Sequence, residues 1–136
     1  MDLFSSLNVS ASGLEAQRTR LDTAASNLAN AYSTRSADGG PYQRRNVVLS
    51  AVDGQGADGS VEGVEVVAIE KDPGAPRLEY DPGHPDADER GFVAYPNVNP
   101  VEEMVDMVTA TRAYQAGLTA ISSEVSMLES ALEIGR

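Results

Sequence analysis

The sequence contains no cysteine and no tryptophan, and its aromatic residues are five tyrosines and two phenylalanines among 136 residues. The absence of cysteine excludes disulfides, thiolate nucleophiles and cysteine-ligated zinc sites. Because aromatic side chains dominate the energetics of a typical core, their scarcity predicts a small core, and the length predicts one domain. The apolar residues are mostly Ala, Val and Leu, which suit contacts between helices and short strands.

Basic residues are also scarce, since ten Lys and Arg accompany 21 Asp and Glu and the formal net charge is -11. Nucleic acids and anionic membrane surfaces both require clustered Lys and Arg, so we predict neither as a partner. The exception is residues 32–46, where Arg35, Arg44 and Arg45 accompany only Asp38. This basic segment either docks on an acidic neighbour or is a solvated loop, and the loop is the simpler interpretation.

Long hydrophobic runs are missing as well. No apolar stretch approaches the roughly 20 residues that span a bilayer, so we predict no membrane insertion. The N-terminal residues lack the basic and continuous apolar regions of a secretory signal peptide. If the protein leaves the cytoplasm, we expect another export route without a cleaved signal peptide.

Residues 3–31 have the pattern of a long helix. Leu7, Leu14, Leu21 and Leu28 recur every seven residues, and alanines occupy the positions three or four residues further on. Such a narrow stripe suits close contact with another helix better than burial in a wide core. The opposite face is predicted to be polar and to carry Glu15, Arg18, Arg20, Asp22 and Asn27.

Residues 100–133 predict a second helix, with apolar positions at alternating steps of three and four. These positions are Met104, Met107, Thr111, Tyr114, Leu118, Ile121, Val125, Leu128 and Leu132. Asn99 suits the N-cap, Pro100 the first helical position and Gly135 the C-terminal end. Glu102 suits the capping box, and Glu102, Glu103 and Asp106 place negative charge at the positive end of the helix dipole. The helix would be roughly 50 Å long, so a protein this small needs partners to cover it.

The central residues have strand and turn patterns. The predicted strands are residues 46–52, 61–70, 77–80 and 91–95, with loops at 33–45 and 53–60. The sequence therefore predicts an α+β fold in which long terminal helices form a coiled-coil-like pair or an inter-subunit bundle around a small β-rich insert. Its parts are an N-terminal helix in residues 1–32, the loop and insert in residues 33–98, and a C-terminal helix in residues 99–136.

No group of residues supports catalysis. Residues 54–59 match the dinucleotide-binding spacing Gly-x-Gly-x-x-Gly, but a strand pattern follows instead of a helix, so we interpret them as a hairpin loop. His84, the only histidine, lies among acidic residues in an irregular segment, where a solvated acidic turn is favoured over a metal site. Those residues are Asp81, Asp86, Asp88 and Glu89. We predict no enzyme activity, no catalytic residue, no cofactor and no metal.

Two segments at opposite ends carry a family resemblance. Residues 12–18, continuing through 25–31, resemble the N-terminal signature of the bacterial flagellar rod and hook family. Residues 96–107 and 113–116 resemble its C-terminal signature. The short middle region, with residues 39–45 and 80–85, resembles a proximal rod subunit. The chain departs from the family at residues 32–35, where a Thr-Pro-Gly-Tyr-like turn is usual, and at Gly117, where Asn is usual.

The resemblance implies a structural subunit of the basal-body rod, a helical tube that crosses the periplasm and transmits motor torque to the hook. It implies copies of the chain and other rod subunits as partners, and export by the flagellar type III apparatus. We expect the terminal helices to form the tube wall, with residues 33–95 facing outward or contacting adjacent rod proteins. The expected assembly contacts are Leu7, Leu14, Leu21, Leu28, Met104, Met107, Tyr114, Leu118, Ile121, Val125, Leu128 and Leu132.

Two other interpretations remain at this point. A free coiled-coil adaptor or chaperone would explain the helices and the acidic charge but not the two signatures. A small acidic enzyme dependent on a metal or a nucleotide would rest only on the segments around Gly54 and His84.

Overall fold

A computed structural model of the chain describes residues 3–53 and 61–135. Its elements in chain order are α1 (Leu3–Ala29), β1 (Arg45–Asp53), β2 (Val61–Lys71), β3 (Arg77–Tyr80), β4 (Phe92–Tyr95) and α2 (Pro100–Ile134). The predicted α+β fold, with long terminal helices around a small β insert, is confirmed. The predicted boundaries differ from the observed ones by no more than two residues. The glycine-rich motif of residues 54–59 lies outside the described residues.

The start of α2 follows from two consecutive residues, Asn99 and Pro100. Asn99 has extended backbone angles, and its side chain accepts a hydrogen bond from the Val101 N–H at 3.1 Å. Pro100 occupies the first turn, where its missing N–H has no helical partner to lose. The helix then runs for 35 residues, about 52 Å at 1.5 Å per residue. At its far end the Gly135 N–H donates to the Ala131 carbonyl.

The two helices pack antiparallel, as their contacts show. Ser10 donates to Glu124, and further along α1 Asn27 donates to Glu103, so residue numbers fall on α2 as they rise on α1. Between these contacts Leu14 lies directly over Gly117. A Cβ on Gly117 would come within 2.7 Å of the Leu14 Cδ2 atom, so the glycine admits the leucine. This contact is the physical reason for a glycine in a helix interior, where it costs about 1 kcal/mol relative to Ala.

The strands form two separate antiparallel hairpins. In the larger hairpin β1 pairs with β2 from Arg45 opposite Lys71 to Asp53 opposite Val61, with two register irregularities. In the smaller hairpin β3 pairs with β4. Helix α1 packs against α2 and also against both strands of the larger hairpin, whereas α2 packs only against α1 among the described elements. Helix α1 is therefore the central element of the subunit.

The core is small, as the composition predicts. Within residues 3–53 and 61–135 the buried apolar side chains are Ala16, Ala24, Ala31, Val93, Val98 and Ala110. Small side chains let elements approach closely but bury little apolar area each, so they contribute little to stability. None of the helices in the described part of the chain combines the length and apolarity needed to cross a membrane.

Candidate assembly surfaces

The apolar stripe predicted on α2 divides into two faces. Met107, Tyr114, Ile121 and Leu128 are partly buried and share the face of Gly117, which packs on α1. The other members lie on an exposed face. These are Met104, Leu118, Val125 and Leu132, which are 52%, 47%, 41% and 73% exposed. A single neighbouring helix covers only a narrow strip of α2, so half of the heptad positions remain uncovered.

The exposed face begins with a cluster that the sequence analysis did not assign. Val101, Val105 and Val108 are all more than half exposed and follow one another at helical spacings of four and three, with Met104 beside them. Their spacing was visible in the sequence. They were missed because a single stripe was taken to account for every apolar position on the helix.

The exposed surface in the second half of α2 carries little charge, and most of its hydroxyls are already paired. Between Arg112 and Glu129 the only charged residue is Glu124, whose carboxylate accepts a hydrogen bond from Ser10 at 3.3 Å. Serine and threonine hydroxyls along α2 donate to the carbonyl four residues earlier, at 2.8 to 3.1 Å. The residues are Thr109, Thr111, Thr119, Ser123, Ser126 and Ser130. Another helix can cover this face without leaving those donors unpaired.

The leucine stripe of α1 is partly used within the chain. Leu7, Leu14, Leu21 and Leu28 are all partly buried, and Leu14 makes the contact with Gly117. The outer positions of α1 include Glu15, Arg18 and Asp22, which are exposed as predicted. Asn27 was assigned to the same outer face, and that prediction is wrong, because only 1% of its surface is exposed.

Asn27 is buried because it joins three parts of the chain. Its Nδ2 group donates to the Glu103 carboxylate on α2 at 3.1 Å and to the Arg45 carbonyl on β1 at 2.9 Å. Its Oδ1 atom accepts from the Arg45 N–H and from the Tyr42 hydroxyl, both at 2.9 Å. The amide therefore has partners for its donors and its acceptor, which offsets the cost of burying it.

Arg44 completes this cluster, which we call the polar clamp (Asn27, Arg44 and Glu103). Its Nε donates at 2.5 Å to Glu103, which is 1% exposed, and its other nitrogens approach Asn46 and Asp106. Burial lowers the pKa of Arg44, but the hydrogen bond and negative charge of Glu103 outweigh it and raise the pKa above its ordinary value. The guanidinium thus stays charged, and loss of Arg44 would leave the buried Glu103 carboxylate without its cation.

The acidic segment around His84 forms loop contacts. The Asp86 carboxylate accepts hydrogen bonds from Thr34 at 2.7 Å and from Arg35 at 2.6 Å. The hydrogen bond from Arg35 is the main cause that lowers the pKa of Asp86, and the one from Thr34 adds to it. His84 accepts from the Asp86 N–H through Nδ1. Among the described residues no cluster of three or more His, Cys, Asp or Glu side chains is placed to hold a metal ion.

The comparisons with known proteins match both ends of the chain. The family model described as flagella basal body rod protein matches residues 7–34, and that described as flagellar basal body rod FlgEFG protein C-terminal matches residues 89–134. Proteins named flagellar basal-body rod protein FlgC are 45% identical in Borreliella burgdorferi and 44% in Bacillus subtilis. The Borreliella alignment covers 98% of each chain, and the Bacillus alignment covers 100% of each.

The chain belongs to the flagellar basal-body rod protein family. The resemblance seen in the sequence is confirmed, and the protein is a structural component of the basal-body rod, not an enzyme. The two family models cover both helices and include Asn27 and Glu103 of the polar clamp. Arg44 lies between the matched segments, so this rod protein supplies the cation of its clamp from the insert.

Sequence reasoning did not find the clamp. Arg44 was grouped with the basic segment, and Glu103 was interpreted as one of the acids at the start of α2. The available signal was the position of Asn27, which lies three or four residues from Ala24 and Ala31 and so shares their buried face. An amide on an alanine face indicates a buried polar contact, but it does not indicate which residues complete that contact.

Proposed function

We propose that this chain polymerises into the proximal rod with copies of itself and other rod subunits, chiefly through the exposed face of α2. The observation that carries this proposal is the exposed surface between Arg112 and Glu129, where Glu124 is the only charged residue, together with the exposed apolar cluster at Val101 to Val108 on the other side of Arg112. An apolar helix face of this length is costly in water, and coverage by neighbouring helices removes that cost.

The predicted assembly residues then have two roles. Leu14, Met107, Tyr114, Ile121 and Leu128 hold the subunit together. Met104, Leu118, Val125 and Leu132 contact neighbouring subunits, together with the newly assigned valines at positions 101, 105 and 108. Leu7, Leu21 and Leu28 are proposed to contribute their exposed edges to the same wall. Contacts between unlike faces that do not close into a ring generate a helical filament, the form a drive shaft requires.

The proposal includes where the subunit works and how it arrives there. Family membership supports a place in the periplasmic part of the rod, transmission of torque to the hook, and export by the flagellar type III apparatus without a cleaved signal peptide. In cells that lack a functional export apparatus we expect the chain to remain in the cytoplasm. Mass spectrometry of the subunit from purified rods should find its N-terminal residues intact.

The deciding experiment is to purify hook–basal bodies after detergent and alkaline washing and to quantify this chain in them. Stoichiometric retention supports the rod role, whereas a chain that stays cytoplasmic while basal bodies form without it would favour an adaptor. Leu118→Asp should abolish assembly, because a buried charge on a packed face costs several kcal/mol. Ala29→Asp, at an exposed position on the outer face of α1 with Glu15 and Asp22, is the matched control and should assemble. Normal rods and motility with Leu118→Asp would refute the assigned face.

A further inference from the structure

We propose that the larger hairpin (β1 and β2) is fixed lengthwise along α1 by two separate attachments. The helix pair and the hairpin then move as one rigid body. The first attachment is the polar clamp, and the second is a contact between Ser12 on α1 and the start of β2. The mechanical use of this device rests on the proposed rod function, whereas the device itself does not.

The first attachment holds the base of the hairpin. Asn27 binds both the N–H and the carbonyl of Arg45, the first residue of β1. Arg44, one residue earlier, is tied to Glu103 of α2, and its carbonyl accepts from the Asp72 N–H just after β2. Both strands of the hairpin are therefore anchored at this end, and the anchor reaches both helices.

The second attachment lies near the other end of the hairpin. The Ser12 hydroxyl donates to the Val9 carbonyl at 2.8 Å and accepts from the Val64 N–H at 3.0 Å. The preceding residue, Gly63, has a φ of 150° and is buried against the helix. A Cβ there would come within 2.5 Å of the Ser12 Oγ atom, so no larger residue fits without displacing the hairpin.

The two attachments are the same distance apart on both partners. From Ser12 to Asn27 the helix rises about 22 Å at roughly 1.5 Å per residue. From Val64 to Lys71, which pairs with Arg45, strand β2 extends about 23 Å at roughly 3.3 Å per residue. Strand β2 has one register irregularity within this span, which shortens it slightly, and the two spans still agree closely enough for both contacts to form. One attachment alone would allow the hairpin to pivot, whereas two remove that freedom.

The functional consequence concerns how load is carried. Helix α2 reaches the hairpin only through α1 and the polar clamp among the described contacts. With both attachments in place, a force on the helices displaces the hairpin with them. The hairpin thus adds a third stiff element to a pair of helices whose own apolar core is small.

The test uses the absence of native cysteine, which allows spin labels to be placed at chosen sites in the full chain. Spin labels at Arg18→Cys and Ser50→Cys, both exposed, report the distance between α1 and the hairpin by double electron–electron resonance spectroscopy. Labels at Arg18→Cys and Ser123→Cys report the distance between the helices. We expect a narrow distribution for both pairs. Asn27→Ala, which removes both bonds to Arg45, and Gly63→Val should each widen the first distribution about twofold, because either attachment alone permits pivoting.

Asn8→Ala is the matched control, because it removes an exposed asparagine from α1 outside both attachments. It should leave both distributions narrow. The proposal is overturned by a broad α1–hairpin distance in the parent chain, by unchanged widths in both variants, or by equal widening of both label pairs. Since no rod is involved, a narrow distance in a chain absent from basal bodies would refute the proposed function and leave this inference standing.

Discussion

The two helices of this subunit have similar sequences of small and apolar residues but opposite surroundings. Helix α1 packs on α2 and on the larger hairpin, and its outer positions include charged residues such as Glu15, Arg18 and Asp22. Helix α2 packs on α1 only, among the described elements, and the rest of its surface is largely uncharged. The chain itself covers the apolar surface of α1, whereas the exposed apolar surface of α2 is available to other molecules.

This difference separates folding from assembly on the surface of a single helix. The face of α2 with Glu103, Gly117 and Glu124 has specific partners on α1 or the insert, so substitutions there should change the stability of the free chain. The face with Leu118 and Val125 has no such partner among the described residues, so substitutions there should change assembly and leave stability nearly unaltered.

The largest expected effect comes from removing the buried carboxylate. Glu103→Ala leaves the partly exposed Arg44 guanidinium without its main partner and removes an acceptor from the buried Asn27 amide. Breaking a buried ion pair in this way costs about 3–5 kcal/mol. Urea unfolding of the full chain should show this loss. Glu102→Ala, at the neighbouring exposed position, should change the free energy of unfolding by less than about 0.5 kcal/mol. Equal effects of both substitutions would contradict the clamp.

The second largest effect is expected from filling the space at Gly117 between the two helices. Gly117→Val places a branched side chain where even a Cβ would lie 2.7 Å from Leu14, and overpacking of this kind costs about 1–3 kcal/mol. The matched control is Ala116→Val, because Ala116 is exposed on the same turn. Adding Leu14→Ala to Gly117→Val should recover part of the lost free energy in a double-mutant cycle. Additive losses would show that the two residues are not in contact.

A smaller effect is expected from the hydroxyls on the outer face of α2. Ser126→Ala removes only a hydroxyl that donates to the Ser122 carbonyl, so rods should assemble at the parent level. Ser126→Asn introduces an amide that cannot satisfy all its donors against the helix, and covering an unpaired polar group costs about 1–3 kcal/mol. Quantified basal bodies should therefore contain less of the Asn variant than of the Ala variant, although both free chains unfold alike. Equal incorporation of the two variants would place Ser126 outside any covered surface.

The sequence predicts the elements well and the side-chain partners poorly. Helix and strand boundaries follow from local signals such as Asn99 and Pro100 at the start of α2, and these signals act within a few residues. The division of the α2 stripe into two faces depends on how much of the helix α1 covers. That coverage is set by the close approach at Gly117, which a sequence pattern does not specify.

The clamp shows the same limit for polar residues. Arg44 and Glu103 are 59 positions apart in the chain, and each has an adequate local interpretation, one as a loop cation and the other as a helix-start acid. Only the antiparallel packing of the helices and the path of β1 bring them together. Burial of Glu103 therefore depends on tertiary packing. Hydrophobic periodicity does not reveal it, because the pattern treats Glu103 like its exposed neighbour Glu102.

The smallest expected effect concerns the exposed loop contact, which tests whether the comparison extends to the insert. The hydrogen bonds from Arg35 and Thr34 hold the pKa of Asp86 below its ordinary value of 3.8. A carboxyl group with a lowered native pKa stabilises the fold above its unfolded pKa, and the contribution is lost as the pH falls through the native value. Asp86→Asn should lower the melting temperature slightly at neutral pH and leave it unchanged once the pH has fallen below the native pKa of Asp86. Because Arg35 is largely exposed, salt should weaken the contribution of this pair. The clamp pair is better shielded from solvent, so its contribution to the free energy of unfolding should be less sensitive to salt. An equal salt response of Asp86→Asn and Glu103→Ala would show that the two contacts do not differ in this way.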